Sequence, residues 1–299
     1  MSLSLGFSGV SVSPALFLRT PFWEDGARVM LTKTQVRDVV SLQEKKARDR
    51  LGLYVAEGDK LVREALALGR GVETVYAVAE WIRESSSLLG AFSGAVVEVS
   101  ADELRRLSAQ KSPNGALALI RQSCPPLDWK TLGADLVLVL DAVRDPGNLG
   151  GLLRVAAWFG IADVVASPDS ADAFQPKVVQ ASMGALFHVR VHSLDIASFL
   201  VEARDRGLPI YGAVLQGDSI YEADLERRGL ILFGNESSGL SEELLRFVSH
   251  RLVVPAWRES GPGRDSLNVA MAAAVVCSEF RRRASRSEAL GEERRTAPA

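Results

Sequence analysis

Three segments of the sequence place polar or charged side chains beside glycine. In the first, Asn148 and Arg154 stand six residues apart in a stretch that is predicted to begin a helix. An asparagine at a helix start can cap free N–H groups, and an arginine in the first two turns can reach an anion held at the helix N-terminus. These residues suit phosphate binding, although a capped amphipathic helix with a solvent-exposed arginine would have the same pattern.

The second segment is a short loop that places Glu236 between Gly234 and Gly239. Glycine lets a backbone approach a ligand closely. An acidic side chain in a loop between an apolar strand and a helix is expected to accept hydrogen bonds. A plain turn, with a serine that caps the next helix, is the alternative interpretation.

The third segment joins Val254 and Pro255, through a glycine-rich loop, to a helix of small residues. Ser266 or Asp265 is predicted to cap this helix, and Asn268 to lie in its first turn. A buried alanine-rich helix would explain the alanines, but it would not explain Asn268.

Other common sites are not indicated. His188, His192 and His250 lack the spacing of metal ligands. The sequence contains neither a Walker loop nor a dinucleotide-binding fingerprint, and no Ser-His-Asp arrangement is suggested. We therefore expect no metal cofactor.

Each of the three segments follows an apolar strand of a predicted parallel sheet. Residues 136–140 form a continuous apolar run suited to a buried strand. Ligands of open α/β sheets bind at the carboxyl ends of strands, so the three segments are expected to meet at one edge. The further predicted strands are 163–166, 187–191, 209–214, 230–233 and 252–254, and the predicted helices are 149–159, 196–206, 241–248 and 266–283.

A second, smaller α/β domain is predicted to come first, because residues 33–122 also alternate between helix and strand patterns. Its predicted helices are 33–50, 57–68, 80–89 and 101–107, and its predicted strands are 53–56, 72–79, 95–99 and 116–120. We divide the chain into a flexible leader (1–29), an N-terminal domain (30–123), a linker (124–135), the parallel-sheet domain (136–283) and a disordered tail (284–299). Met30 is an alternative start, which the sequence does not decide.

Composition limits the class of protein. The 299 residues are 47% hydrophobic and 24% charged, as in soluble globular proteins. No apolar run approaches the roughly 18 residues of a membrane-spanning helix. Two cysteines, Cys124 and Cys277, are too few for a disulfide framework, which favours a reducing cytoplasm.

Charge is unevenly distributed along the chain. Lys and Arg number 14 against 12 Asp and Glu in residues 30–123, but 13 against 20 in residues 124–280 and 6 against 3 in the last 19. An RNA partner would therefore have to meet local basic patches or the flanking parts. An ordinary solubilising surface fits the same numbers.

Together the three segments resemble the three ordered motifs of the SpoU (TrmH-type) RNA ribose 2′-O-methyltransferases of the SPOUT superfamily. The resemblance covers about residues 33–283, and Val-Pro-Ala stands where many members have Ile-Pro-Met. The matching residues are Asn148-x-Gly150-x-x-x-Arg154, Gly234-Asn-Glu236-x-x-Gly239 and Val254-Pro followed by Ser266-Leu-Asn-Val, with Gln180–Phe187 similar to the family's Ala-Ser-x-Gly-Ala segment and Arg50–Lys60 similar to its N-terminal substrate-binding domain.

The resemblance implies a fold and its partners. The fold is α/β: a C-terminal parallel-sheet SPOUT domain with a deep trefoil knot, which is an exception to the rule that chains do not knot, preceded by a small α/β substrate-binding domain. A homodimer is implied, with the alanine-rich last helix and the first motif at its interface. S-adenosyl-L-methionine is the implied methyl donor, held by Gly234, Glu236, Gly239, Val254, Pro255, Leu267 and Asn268.

The implied reaction transfers a methyl group to a ribose 2′-OH of structured RNA, and rRNA is favoured over tRNA. The implied catalytic residues are Arg154, Asn148, Glu236, Ser266 and Asn268. Because the guanidinium pKa exceeds about 12, we favour Arg154 as a group that positions phosphate and stabilises developing charge over Arg154 as a base. Both roles stay open at the level of sequence.

Three alternatives remain. The first is a tRNA 2′-O-methyltransferase, the second a non-catalytic RNA-binding protein on the same fold, and the third an enzyme that methylates a base. The presence of Arg154, Asn148, Glu236 and Asn268 counts against the second. Ribose is favoured over base by a different set, Asn148, Arg154, Ser266 and Asn268.

Overall fold

The computed structural model describes residues 31–123, 125–257 and 266–296. The chain divides after Gln122 into two compact units. The predicted leader and Asp265, one of the two predicted helix caps, lie outside the described residues. None of the described helices combines the length and the apolar character needed to cross a membrane.

The first unit contains one mixed sheet in the order β1-β4-β2-β3, in which β4 runs antiparallel to both of its neighbours and β2 runs parallel to β3. Its elements are α1 (Lys33–Ser41), α2 (Lys45–Leu51), β1 (Leu53–Glu57), α3 (Asp59–Ala67), β2 (Val72–Ala77), α4 (Ala79–Glu84), α5 (Ser86–Leu89), β3 (Ala95–Glu98), α6 (Ala101–Leu107) and β4 (Ala116–Arg121).

Two helix predictions for this unit were wrong. The predicted helix 33–50 is divided into α1 and α2, because the buried guanidinium of Arg48 donates to the carbonyl oxygens of Leu42 and Gln43 at 2.8 and 2.7 Å and so stabilises a turn between them. The predicted helix 80–89 is divided at Ser85, at the start of a run of serines that favours turns and caps over helix interiors.

The second unit contains a sheet in the order β10-β8-β9-β5-β6-β7, in which all neighbouring strands are parallel. The predicted parallel sheet is therefore confirmed. Its elements are α7 (Trp129–Leu132), β5 (Leu136–Leu140), α8 (Pro146–Trp158), β6 (Asp163–Ala166), α9 (Pro176–Ser182), a 3-10 turn (Ala185–Phe187), β7 (Arg190–Ser193), α10 (Ile196–Asp205), β8 (Ile210–Ser219), β9 (Gly229–Phe233), α11 (Glu242–Leu245), β10 (His250–Val253) and α12 (Val269–Thr296).

The central strands carry the core of this unit. Every residue of β5 and β9 is buried, which explains why their sequences are continuous apolar runs. Val139 and Leu232 pack with Phe199 of α10, and Trp129 stacks on Phe199 with ring centroids 5.0 Å apart.

Several elements of this unit differ from the sequence prediction; β8, for example, extends five residues beyond the predicted strand 209–214. The strand predicted at 187–191 lies at 190–193, since residues 185–187 form the buried 3-10 turn. The helix α9 was not predicted, although Pro176 occupies its first turn, where proline is favoured. The helix α12 continues to Thr296, into the segment assigned to a disordered tail, because residues 284–296 lack proline and are rich in helix formers.

A buried charge cluster lies at the amino edge of this sheet. The guanidinium of Arg190 donates two hydrogen bonds to the Asp163 carboxylate, at 2.7 and 2.6 Å, and His192 Nε2 lies 2.9 Å from the same group. Burial alone would raise the pKa of Asp163, but the hydrogen bonds from His192 and Arg190 hold it below its usual value. This cluster ties β6 to β7.

Candidate active site

Three loops meet at the carboxyl edge of the parallel sheet. Because β5 and β9 are neighbours, the loops that follow them, 141–145 and 234–241, lie side by side. The residues just before α12 reach the same place, since Asn268 is hydrogen-bonded to the start of α8.

The first loop ends at a helix that Asp145 caps. Its carboxylate accepts a hydrogen bond from the backbone N–H of Asn148 at 2.8 Å, and Pro146 is the first helical residue. The prediction that Asn148 caps this helix was therefore wrong. Because Asp145 takes that position, the Asn148 amide is available for contacts with the other two loops.

The second loop is closed by a pair of backbone hydrogen bonds between Asn235 and Gly239, of 3.0 and 2.9 Å. Gly239 has a φ of +70°, which glycine adopts without strain. A Cβ atom on Gly234 would collide with the backbone of Gly239 and Leu240. Both glycines are thus required by the loop itself.

The third loop ends at Asn268, which caps α12. Its side-chain oxygen accepts from the backbone N–H groups of Ala270 and Met271 at 3.0 and 3.4 Å. The prediction of Ser266 as the cap was wrong, because Asn268 stands immediately before the first helical residue.

One chain of side-chain hydrogen bonds joins all three loops. Asn268 Nδ2 donates to Asn148 Oδ1 at 2.7 Å, and Asn148 Nδ2 donates to Glu236 Oε1 at 2.6 Å. The other carboxylate oxygen, Glu236 Oε2, accepts from Asn235 Nδ2 at 3.3 Å. Each amide thus has a fixed orientation. Since Glu236 is exposed to solvent, its carboxylate can still accept a hydrogen bond from a ligand.

The structure does not bring Arg154 into this chain. Its side chain is exposed, six residues beyond Asn148 on α8, and forms no hydrogen bond or ion pair with any described residue. Close packing fixes the helix that carries it: a Cβ on Gly150 would lie 2.5 Å from the Cβ of Ala181, and one on Gly151 would lie 3.0 Å from the Cβ of Ala270. A closely packed helix thus presents a guanidinium that has no partner among the described residues.

The remaining predicted residues lie at the two ends of the third segment. Val254 and Pro255 follow β10, and Ser266 and Leu267 directly precede Asn268. Pro255, Ser266 and Leu267 are exposed, and the Ser266 hydroxyl makes no hydrogen bond within the described part of the chain.

Two contributors were missed by sequence reasoning. Asn235 donates to the Ala142 carbonyl oxygen at 2.8 Å, and the Asp141 carboxylate accepts from the Ser241 backbone at 2.9 Å, so each ties loop 141–145 to loop 234–241. Neither had a sequence signal beyond its place at a strand end. Asp145 did have one, because Asp-Pro is a common helix start.

Metal binding has no candidate in the residues that the structure describes: no three His, Cys, Asp or Glu side chains are grouped so that they could hold an ion.

Comparison with known proteins gives two family matches. Residues 135–278 match the SpoU rRNA Methylase family, and residues 33–118 match the MRM3-like substrate binding domain. The chain is also 31% identical, over 83% of its length and 96% of the relative's, to the 23S rRNA (guanosine(2553)-2′-O)-methyltransferase RlmP of Bacillus subtilis. The chain belongs to the SpoU rRNA methylase family.

Two solved structures extend the match to the fold of this SpoU protein. A TrmH-family protein from Porphyromonas gingivalis is 38% identical with a TM-score of 0.75, covering 85% of this chain and 100% of that one. The AdoMet-bound rRNA methyltransferase from Sinorhizobium meliloti is 28% identical with a TM-score of 0.75, covering 86% and 98%. The resemblance and the predicted order, a substrate-binding domain followed by a SpoU domain, are therefore confirmed.

Proposed function

We propose that this SpoU-family methyltransferase transfers a methyl group from S-adenosyl-L-methionine to a ribose 2′-OH of rRNA. The observation that carries the proposal is the hydrogen-bonded chain Asn268–Asn148–Glu236, which joins the three family motifs at one sheet edge. Two relatives support it: the Bacillus subtilis protein is named as a 23S rRNA ribose methyltransferase, and the Sinorhizobium structure is an rRNA methyltransferase with AdoMet bound.

The loops at this edge fit the methyl donor. Gly239 is exposed, and a Cβ atom placed on it would have no atom within 4 Å, so a ligand can approach this backbone closely. Val254, Pro255 and Leu267 supply apolar surface for an adenine ring and a methionine chain, and Gly234, Glu236 and Asn268 complete the set of binding residues. When bound, S-adenosyl-L-methionine supplies a methyl group attached to a sulfonium sulfur. The sulfur-containing part of the molecule is a good leaving group.

The side chains divide the remaining tasks. Arg154 holds an RNA phosphate next to the target ribose and stabilises negative charge on the 2′-oxygen. The 2′-OH proton passes to that phosphate as the methyl group is transferred. Arginine suits this role better than that of a base, because the guanidinium stays protonated. Glu236 and Asn148 orient the ribose, Asn268 holds the Asn148 amide in place, and Ser266 completes the pocket.

A homodimer is part of the proposal. Apolar side chains are exposed on α8 and at the start of α12: Trp158 is 84% exposed, Met271 64% and Leu267 52%. Arg154 lies four residues before Trp158 and so shares its helix face. A second copy packed there would cover this surface and place Arg154 beside the partner's loops. Light scattering should give twice the 32.3 kDa of one chain, and Trp158→Glu should shift it toward the monomer.

Three further parts of the proposal concern the rest of the chain. The N-terminal unit binds the structured RNA, as its match to a substrate-binding domain supports. The C-terminal segment of the SpoU domain is threaded through a loop as a deep trefoil knot. It acts in the cytoplasm, with which the buried, unpaired thiol of Cys277 agrees.

The experiment is to map 2′-O-methyl groups in total RNA from cells with and without the gene. Loss of one ribose methyl group from rRNA is the expected result, with complementation by the parental gene and none by an Arg154→Ala gene. Loss of a methyl group from tRNA would instead identify a tRNA enzyme. An unchanged 2′-O-methyl map would contradict the proposal.

A further inference from the structure

A single backbone residue beside the site has an unfavourable conformation. Ala142 has a φ of 53°, in the left-handed region that side chains other than glycine rarely adopt. It lies two residues past β5, in loop 141–145. A conformation of this kind persists only where neighbouring groups hold it.

Groups from both neighbouring strands hold this residue. Its N–H donates to Ser167 Oγ at 2.9 Å, and its carbonyl oxygen accepts from Asn235 Nδ2 at 2.8 Å. Ser167 follows β6 directly and is buried, whereas Asn235 lies two residues past β9. Since β5 lies between β9 and β6, the Ala142 backbone spans the two adjacent loops.

Asp169 fixes the direction in which Ser167 acts. The one proton of the Ser167 hydroxyl is donated to Asp169 Oδ1 at 2.7 Å. The Ser167 oxygen therefore accepts from the Ala142 N–H and from the Ser170 hydroxyl, which lies 2.9 Å away. The second carboxylate oxygen accepts from Arg144 Nη2 at 2.9 Å. These hydrogen bonds, that of Ser167 above all, hold the pKa of Asp169 below its usual value, so it remains an ionised acceptor at neutral pH.

We propose that Ser167, oriented by Asp169, is a positioning residue for methyl transfer: it holds Ala142 in the left-handed conformation that presents the Ala142 carbonyl to Asn235. Asn235 also donates to Glu236, so the placement of Glu236 depends on a hydroxyl that does not touch the substrate. This inference rests on the proposed function, because it deepens the description of the same site.

The test compares kcat with KM. Ser167→Ala should lower kcat for methyl transfer about ten- to hundredfold, as expected for a misplaced catalytic loop, and change the KM for rRNA less than about twofold. Ser167→Thr keeps a hydroxyl and should retain most of kcat. Asp169→Ala removes the exposed orienting group together with its contact to Arg144 and should lower kcat about threefold. It provides a second variant should Ser167→Ala fold poorly.

The decisive variant is a rescue. Glycine adopts positive φ without the cost that alanine has. Ala142→Gly introduced into Ser167→Ala should therefore raise kcat at least about fivefold over Ser167→Ala alone. Ser193→Ala is the matched control: Ser193 ends the neighbouring strand β7, and among the described residues its hydroxyl has no hydrogen-bond partner.

Two results would overturn the inference: parental kcat in Ser167→Ala, or a rescue variant no faster than Ser167→Ala. A readout independent of activity separates this from a failure of the proposed function. The ¹³Cα and ¹³Cβ chemical shifts of Ala142 should report a left-handed residue in the parental protein and a change in Ser167→Ala. If the parental protein transfers no methyl group, the proposed function fails, and these shifts alone then decide whether Ser167 holds Ala142.

Discussion

The two edges of the SpoU-domain sheet carry polar clusters of opposite character. At the amino edge, the Asp163 side chain is 7% exposed, and its carboxylate is ion-paired with Arg190 and in contact with His192. At the carboxyl edge, Asn148, Glu236 and Asn268 are partly or fully exposed, and two of the three are neutral amides.

This difference separates stability from function. A buried charge that loses its partner costs several kcal/mol, so the amino-edge cluster is committed to its present contacts. Exposed amides and carboxylates can exchange partners with water or a ligand at little cost. We therefore expect substitutions at the amino edge to change the free energy of unfolding, and those at the carboxyl edge to change methyl transfer.

The largest expected effect is that of Arg154→Ala. Loss of a charge-stabilising group should lower methyl transfer roughly a hundredfold or more, while the Kd for S-adenosyl-L-methionine changes little. Arg154→Lys should recover only part of the rate, since lysine lacks the planar fork. Tritium transfer and calorimetric titration on the same proteins measure both quantities.

Arg190→Ala is the matched control for that variant. It removes the same charge at the opposite edge and should retain parental methyl transfer in folded protein. A parental rate of methyl transfer in Arg154→Ala, or an equal loss of rate in Arg154→Ala and Arg190→Ala, would contradict the assignment of function to the carboxyl edge.

Asp163→Asn should show the reverse behaviour. Removing the carboxylate leaves Arg190 without its charge partner and His192 without its hydrogen-bond partner. The free energy of unfolding should fall by about 2–3 kcal/mol, less than for a fully buried pair because Arg190 is partly exposed. Urea unfolding measures this loss. The kcat at 20 °C should stay within about twofold of the parental value; a large fall in kcat without a loss of stability would contradict the assignment.

Asn148→Asp should produce a smaller, pH-dependent loss of methyl transfer. It would set a second carboxylate against Glu236, where Asn148 Nδ2 now donates at 2.6 Å. Two carboxylates this close share one proton, which is released as the pH rises. The rate relative to the parental enzyme should fall about tenfold at pH 8 and recover toward pH 6.

The combination of Asn148→Asp with Glu236→Gln is the control for that profile. It restores one donor and one acceptor with their positions exchanged, so the pH dependence of the relative rate should disappear. If Asn148→Asp alone follows the parental pH profile, the contact with Glu236 does not form in the working enzyme.

The smallest expected effect concerns acid. Because the folded-state pKa of Asp163 lies below its unfolded value, its contribution to stability is complete above the unfolded pKa of about 3.9 and is lost as the pH falls through the folded pKa. The difference in unfolding free energy between the parental chain and Asp163→Asn should therefore shrink as the pH falls below 4. A difference in unfolding free energy that grows below pH 4 would show that folding raises the pKa of Asp163 rather than lowers it.

The features predicted best from the sequence are those that depend on residues adjacent to one another in the chain. The bounds of β5 and β6 were predicted as the structure has them, because their apolar runs are continuous. The division between α1 and α2 could not be predicted, since it depends on the buried guanidinium of Arg48, which bonds carbonyl groups five and six residues away.

The candidate site was predictable as a set of residues but not as a network. The motif spacing brought Asn148, Glu236 and Asn268 together as candidates. The contacts of Asn148 with Glu236 and Asn268 span 88 and 120 residues, and no local pattern fixes which amide donates to which oxygen. The caps Asp145 and Asn268 show the same limit, because several polar residues near each helix start could have taken that position.

The most direct test of the central claim uses an RNA with a single 2′-deoxy substitution. Once the methylated nucleotide is mapped, the parental protein is given two otherwise identical rRNA fragments, one with ribose and one with 2′-deoxyribose at that nucleotide, together with tritiated S-adenosyl-L-methionine. Transfer to the ribose fragment and none to the deoxy fragment is the expected result. Equal transfer to both fragments would place the methyl group on the base and contradict the proposed function.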